Sequence, residues 1–375
     1  DKGNPFEGVS RDWHRMGINK DHLIVQSLKD IIENFDFKSP EKHVLELLYV
    51  LDELKKLPQN PWKNQKIEAL TQIITQCLGL YVSAESSRPY VTPKDEVMAK
   101  VEVTNRSHKT LLLNRVYSDQ LYFFENTQPQ SINALASRYV ESLEAPLKSI
   151  DLSTPYWLKN QATSGRFEVS NRALIGAALG PESVSVNLDF SLEGHEFTVK
   201  TPLRYKYRDR VQGEVFDPFV VLPALTLSSS EAVMVFNDQK PKSLNITLTA
   251  HRDAQKGSLS LQHPENWRVE PKYIDFDMPK AGSQANLSFT IYPPKEMQSG
   301  QLIPLAQIGD QFYTKSLLEI QYPHIPKITV LEQAQTQVLK MNISRTTQRI
   351  GYIQGAGDAV NKGLEQLGYE VIPIM

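Results

Sequence analysis

Val184–Val199 reads VSVNLDFSLEGHEFTV, and this stretch decides how the rest of the chain is read. Val184, Val186, Leu188, Phe190 and Leu192 take every second position, the period of a strand with one face against a core. Glu193-Gly194-His195 interrupts the pattern as a hairpin turn, and Phe197 and Val199 resume it on the returning strand. Such alternation belongs to antiparallel sheets packed on one side only. Upstream, Val97, Ala99, Val101 and Val103 alternate with Met98, Lys100, Glu102 and Thr104, ahead of an Asn105-Arg106-Ser107 turn. Downstream, Leu244-Ile246-Leu248-Ala250, Leu259-Leu261 and Leu287-Phe289-Ile291 repeat it, with turn signals at the spacing of a β-sandwich. The stretch 126–161 is less regular, and a short helix is expected there around Ala134 to Leu143.

The two ends depart from this period. Ile24, Leu28, Ile31, Ile32 and Phe35 recur at helical spacing, as do Val44, Leu47, Leu48, Leu51 and Leu54, and then Ile67, Leu70, Ile74, Cys77 and Leu78. Ser39-Pro40-Glu41-Lys42 is a start signal for the second helix, Pro58 and Pro61 separate it from the third, and Gly79 marks an end. At the other terminus, Arg349–Met375 reads as strand, Gly-Ala-Gly turn, helix and strand, the opening of a parallel α/β unit with no further strand after it. A parallel sheet needs more strands and helices on both faces. The expectation is therefore a multidomain, mainly β chain. It has a helical segment (1–90), a first β-sandwich (91–222) and a second, immunoglobulin-like one (223–322). A linker (323–348), begun by the breaker run Tyr322–Lys327, leads to a truncated βαβ start (349–375). The opening Asp1, with no initiator Met or apolar leader, fits a segment cut from a longer polypeptide.

Composition narrows the function classes. The 375 residues include 40% apolar and 22% charged residues, ordinary for a globular protein, and the net charge is −2. That balance gives no electrostatic reason to expect nucleic acid or an anionic membrane as partner. No apolar run approaches the roughly 20 residues of a membrane-spanning helix. The one cysteine, Cys77, excludes internal disulfides and cysteine-built zinc sites, and its helical spacing among apolar neighbours reads as core. No two of the eight histidines stand at a ligand-pair spacing. Neither a G-x-S-x-G elbow nor a phosphate-binding GKS/T loop occurs. The residues thus single out no catalytic group or metal ligand by motif, which leaves only a site assembled from distant segments.

Three groups remain as candidates. Tyr156 and Trp157 follow a proline in STPYWLKN, and Tyr205 and Tyr207 alternate with Arg204, Lys206, Arg208 and Arg210 in RYKYRDRVQGEVFDPF. Tyr156, Trp157, Arg204, Tyr205 and Tyr207 could contact a glycan through ring stacking and a basic group. The plainer reading packs Tyr156 and Trp157 inside the protein and makes the Tyr/Lys alternation an ordinary strand with one wet face. Gly355, Gly357 and Asp358 form the third group, the turn of the truncated unit. Val360 replaces the third glycine of a dinucleotide fingerprint, so a tight βα turn is favoured over a phosphate cradle.

Taken in order, these segments resemble the middle of the large bacterial PIG-L (LmbE-like) deacetylases. The resemblance runs from about residue 40 to the end. It is carried by PWKNQKIEALTQIITQCLGLYVSA, YVTPKDEVMAKVEVTNRS, TPYWLKN, GRFEVSNRALIG, PLRYKYRDRVQGEVFDPFVVLPAL, NWRVEP, YPHIP and RIGYIQGAGDAVNKGLEQLGYEV. It implies a zinc-dependent deacetylase domain before this chain and a glutamine-amidotransferase-like domain after it, both intramolecular partners. It also implies a periplasmic or secreted setting. The family's Pro-His-Pro-Asp-Asp run and later His-x-x-His, which supply the zinc ligands and catalytic Asp, are absent from this sequence. No catalytic residue and no zinc ligand carries over, and zinc is implied only for the other domain. The expected role is a non-catalytic scaffold beside a hydrolase of N-acetylated, sugar-like substrates. The alternative is a carbohydrate-binding or adhesive β-sandwich module in its own right.

Overall fold

The computed structural model describes residues 8, 13–93, 95–122, 124–135, 137–148, 151–160, 162–345 and 347–374. The protein is mainly β, with a helical N-terminal segment, β-sandwich units of immunoglobulin-like character and a small α/β element at the C-terminus. The chain divides into two compact units, Asp1–Pro89 with Lys94–Ile150 and Glu182–Phe219, and Tyr90–Pro93 with Asp151–Pro181 and Val220–Met375.

In the first unit, three helices form where the apolar spacing places them: α1 (Leu23–Asn34), α2 (Val44–Lys56) and α3 (Pro61–Cys77). The α2 helix buries Val44, Leu47, Leu48, Val50, Leu51 and Leu54, so it is the inner helix of the layer. Asn60 caps α3 by accepting from the Trp62 and Lys63 amides, and Pro61 occupies the first turn, where its missing N–H costs nothing. The helix ends in a Schellman closure. Gly79 sits at φ +54°, its N–H bonds the Gln76 carbonyl, and Leu80 N–H reaches back to Thr75. Cys77 is buried, as its spacing predicts, and burial raises its thiol pKa.

The sandwich strands of this unit follow the alternation. In the strand Glu96–Asn105, Val97, Ala99, Val101 and Val103 are all buried, and Ser185–Leu192 buries Val186, Leu188, Phe190 and Leu192. Glu193 (φ +48°) and Gly194 (φ +89°) make the two-residue turn into the long strand His195–Asp209. This strand serves two sets of neighbours. Residues 195–202 pair antiparallel with Ser185–Leu192, while from Leu203 onward it runs parallel to Tyr81–Ser86 and antiparallel to Gly213–Pro218.

One expectation fails here. The stretch 137–146 is a ten-residue strand, not a helix, paired along its whole length with Glu96–Asn105; the expected helix also includes Ala136, which lies outside the described residues. Its local sequence tolerates a helix, but ten cross-strand partners outweigh that weak preference.

In the second unit, one sheet runs Leu225–Ser229, Lys242–Ala250, Gln284–Tyr292, Arg268–Glu270. The other runs Val233–Phe236, Thr336–Lys340, Gln298–Ile308, Gln255–Gln262, Ile274–Met278. Leu244, Ile246, Leu248, Phe289 and Ile291 from the first sheet close a core with Phe236, Leu259, Leu302, Ala306 and Val338 from the second. Trp267 meets Phe236 edge-on at 5.2 Å within it. The Tyr322–Lys327 run does turn the chain, but as the tip of a hairpin between Lys315–Tyr322 and Ile325–Gln333. Strands therefore occupy much of 323–348, where the sequence reading places a linker.

The C-terminal element is the expected strand–turn–helix–strand. Arg349–Tyr352 and Glu370–Pro373 pair in parallel across α4 (Val360–Gln366). Side chains tie it to the sandwich. Gln366 Oε1 accepts from the Val235 amide at 3.0 Å, and Asn237 Nδ2 donates to the Leu367 carbonyl at 2.7 Å. Lys242 Nζ donates to both the Val235 and Gln366 carbonyls.

Candidate functional site

Beyond Leu203, where the first unit's core ends, the strand His195–Asp209 and its return Gly213–Pro218 form a ribbon. Successive side chains of a strand point to opposite faces, so Tyr205 and Tyr207 share one face with Leu203, and Arg204, Lys206 and Arg208 share the other. The Tyr205 and Tyr207 rings stack, with centroids 5.1 Å apart and planes 21° from parallel. The register sets Asp217 opposite Tyr205 and Val215 opposite Tyr207. Both tyrosines are half-buried. Burial, followed by the Asp217 and Asp209 carboxylates, raises the Tyr207 hydroxyl pKa, and this hydroxyl is hydrogen-bonded to Asp217.

On the opposite face, Arg204 and Lys206 are held in ion pairs. Arg204 pairs with Glu182 at 2.7 Å. Lys206 lies between Glu85 (3.1 Å) and Glu214 (3.3 Å), with its ammonium 5.3 Å from the Phe216 ring centroid. Glu85 is buried and also accepts from the Ser83 hydroxyl. Burial works against the Lys206 charge, but the two carboxylates outweigh it and hold its pKa above the ordinary value. Arg204 is thus on the other side of the ribbon from the tyrosines with which the sequence grouped it.

Tyr156 and Trp157 belong to the second unit, on a single turn of 3-10 helix, Tyr156–Leu158. Tyr156 is buried, its hydroxyl donates to the Ala177 carbonyl at 3.2 Å, and the half-buried Trp157 meets its ring edge-on at 4.9 Å. Neighbouring polar groups serve the backbone, with Ser153 Oγ accepting from the Val221 amide and Thr154 Oγ1 from Leu331. Tyr156 is thus packed inside the second unit, while Trp157 keeps a solvent-facing part.

Asp358 closes the C-terminal turn upon itself. Its carboxylate accepts from Gly355 N–H at 2.8 Å, Tyr352 OH at 2.6 Å and Val360 N–H at 3.3 Å. The Tyr352 bond first, then the Gly355 amide, lowers its pKa. Gly357 supplies a φ of +75°, and a Cβ on Gly355 would come within 2.9 Å of Asp358 Oδ2. The turn's own carboxylate therefore occupies the amide that an incoming phosphate would need, and its charge repels one.

Among the described residues, no three His, Cys, Asp or Glu side chains gather as metal ligands. Cys77 is buried, and His251 Nε2 is engaged with Thr226 Oγ1 at 2.9 Å. Sequence reasoning missed Asp217, which only the ribbon register brings beside the tyrosines. It also missed the contact of His195 with α2, where Asp52 Oδ2 lies 2.7 Å from Nδ1 and Lys55 donates to the Glu196 carbonyl.

No protein-family model and no curated protein matches the chain. Among solved structures, red sea bream transglutaminase is similar over 76% of this chain and 34% of its own, at 11% identity and a TM-score of 0.29. Escherichia coli alpha-2-macroglobulin in its native conformation matches 69% of this chain and 17% of its own, at 11% identity and a TM-score of 0.24. A Porphyromonas gingivalis protein of unknown function matches 69% of this chain and 99% of its own, at 13% identity and a TM-score of 0.18. The chain thus spans about a third of the transglutaminase and a sixth of the macroglobulin. Likenesses this distant carry no argument about activity.

Proposed function

We propose that this chain is a non-catalytic scaffold region of a bacterial, exported PIG-L-like zinc-dependent deacetylase. The hydrolysis of N-acetylated, sugar-like substrates would take place in another domain of the same polypeptide. The ordered segment resemblance suggests the family. One observation carries the scaffold role: polar side chains that the sequence offers for chemistry are spent on holding the fold. Asp358 closes its own turn, Arg204 is paired with Glu182, and the Tyr156 hydroxyl bonds the Ala177 carbonyl. A group so engaged would have to break a structural bond before it could act on a substrate. The helical layer and the C-terminal βαβ element are then the parts that adjoin the deacetylase and amidotransferase-like domains.

The test is to incubate the purified chain with zinc and an N-acetylglucosamine tetrasaccharide and to measure acetate. The scaffold reading expects release no faster than in buffer. Sustained release by the chain alone, abolished by a chelator, would overturn it.

A further inference from the structure

We propose that Tyr205, Tyr207 and Asp217 form a binding platform for a neutral, hydroxyl-rich oligosaccharide. The stacked rings, 5.1 Å apart, lie past Leu203, the last fully buried residue of this strand, so closing the core does not require them. A strand that only continued the core would be served by aliphatic side chains without a hydroxyl to satisfy. Here each ring is half-buried and keeps a solvent-facing part.

The two rings are stacked before any ligand arrives. The reverse face of the same ribbon is pinned by Lys206 between Glu85 and Glu214. Binding on a preorganised surface loses less entropy than binding on free side chains. A pyranose ring matches such a surface because its axial C–H bonds form an apolar face and its hydroxyls project around the rim. Asp217, across the ribbon from Tyr205, is bonded to the Tyr207 hydroxyl and keeps further lone pairs that can accept from those hydroxyls. The Tyr207 hydroxyl, whose hydrogen is engaged with Asp217, can accept from a sugar hydroxyl.

The same carboxylate selects against the main competitors. Nucleic acid and acidic glycans would bring negative charge against Asp217 and Asp209, and both basic groups flanking Tyr205 point to the other face. A neutral sugar meets no such penalty. This inference stands on the ribbon geometry alone and does not depend on the deacetylase reading.

Isothermal titration of the whole chain with an N-acetylglucosamine tetrasaccharide, and separately with maltohexaose, tests it. Saturable millimolar or tighter binding of at least one is expected. Tyr207→Ala should weaken that binding about tenfold, and Tyr207→Phe, which keeps the stack, by no more than about threefold. Near-UV circular dichroism checks that each variant folds, and Asp217→Ala, expected to weaken binding several-fold, serves if Tyr207→Ala does not. The proposal is overturned if neither sugar binds, if folded Tyr207→Ala or Asp217→Ala binds like the parent, or if a sulfated tetrasaccharide binds more tightly than both neutral ones. Acetate release plays no part in the readout, so failure here leaves the scaffold reading intact, and the reverse also holds.

Discussion

Asn105 is fully buried at the end of the strand Glu96–Asn105, and removing its amide is the sharpest perturbation of the first unit. Its Nδ2 donates to the carbonyls of Lys109 (2.7 Å), Asn133 (3.1 Å) and Ile132 (3.2 Å). Its Oδ1 accepts from the Ser107 amide (3.0 Å) and hydroxyl (2.8 Å). One side chain therefore joins the turn that follows its own strand to the segment around residue 132. An NH₂ group has only two hydrogens, so the three donor contacts share two bonds, and about four bonds are lost in Asn105→Ala. At about 1 kcal/mol net each, the sum is about 4 kcal/mol. Carbonyls near the surface regain water, which brings the expected loss to about 3 kcal/mol. Asn105→Asp should be worse at neutral pH, because a carboxylate would face three carbonyl oxygens with nothing to donate. Its relative stability should recover as acid protonates it. Denaturant-dependent hydrogen exchange of the strands Glu96–Asn105 and Ser137–Pro146 measures both effects within this unit. A loss below about 1 kcal/mol for Asn105→Ala, or an Asp variant as stable as the parent at pH 7, would refute the reasoning.

Other outcomes follow from the same fold. Gly79→Ala must hold φ near +54° with a Cβ 3.1 Å from that of Arg106, and should cost about 1–2 kcal/mol in thermal unfolding. Phe289→Ala in the core of the second sandwich should cost about 3–5 kcal/mol by urea titration. Burial lowers the pKa of His251 below its ordinary 6.5, so the unfolded chain takes up a proton at a pH where the folded one refuses it. The stability it contributes is whole above that pH and falls as acid is added through the lower, folded pKa. His251→Gln should flatten this part of a melting-temperature profile below about pH 6.5. Asp358→Ala should speed amide exchange at Gly355 and Val360 while leaving the sandwich strands protected.

Much of the fold was legible because its period is local. The alternation of Val97 to Val103 and of Leu244 to Ala250 names the buried face directly, and Glu193-Gly194 is short enough to be read as a turn without its partners. The strand Ser137–Pro146 was hidden because its stability lies in pairing with a segment about forty residues earlier, not in its own propensity. The hairpin at Pro323-His324 was hidden for a related reason: prolines announce a turn but not that the chain comes back. At the candidate site, the Tyr205/Tyr207 period was visible, and the side of the ribbon taken by Arg204 follows from the same period of two. Asp217 required the register across the turn, which no local pattern gives.

The scaffold account is tested most directly by reading the coding frame on both sides of this segment. The account predicts that it continues upstream into a domain with a Pro-His-Pro-Asp-Asp run and a later His-x-x-His, and downstream into a full α/β domain. Start and stop codons closely bracketing these residues would contradict it.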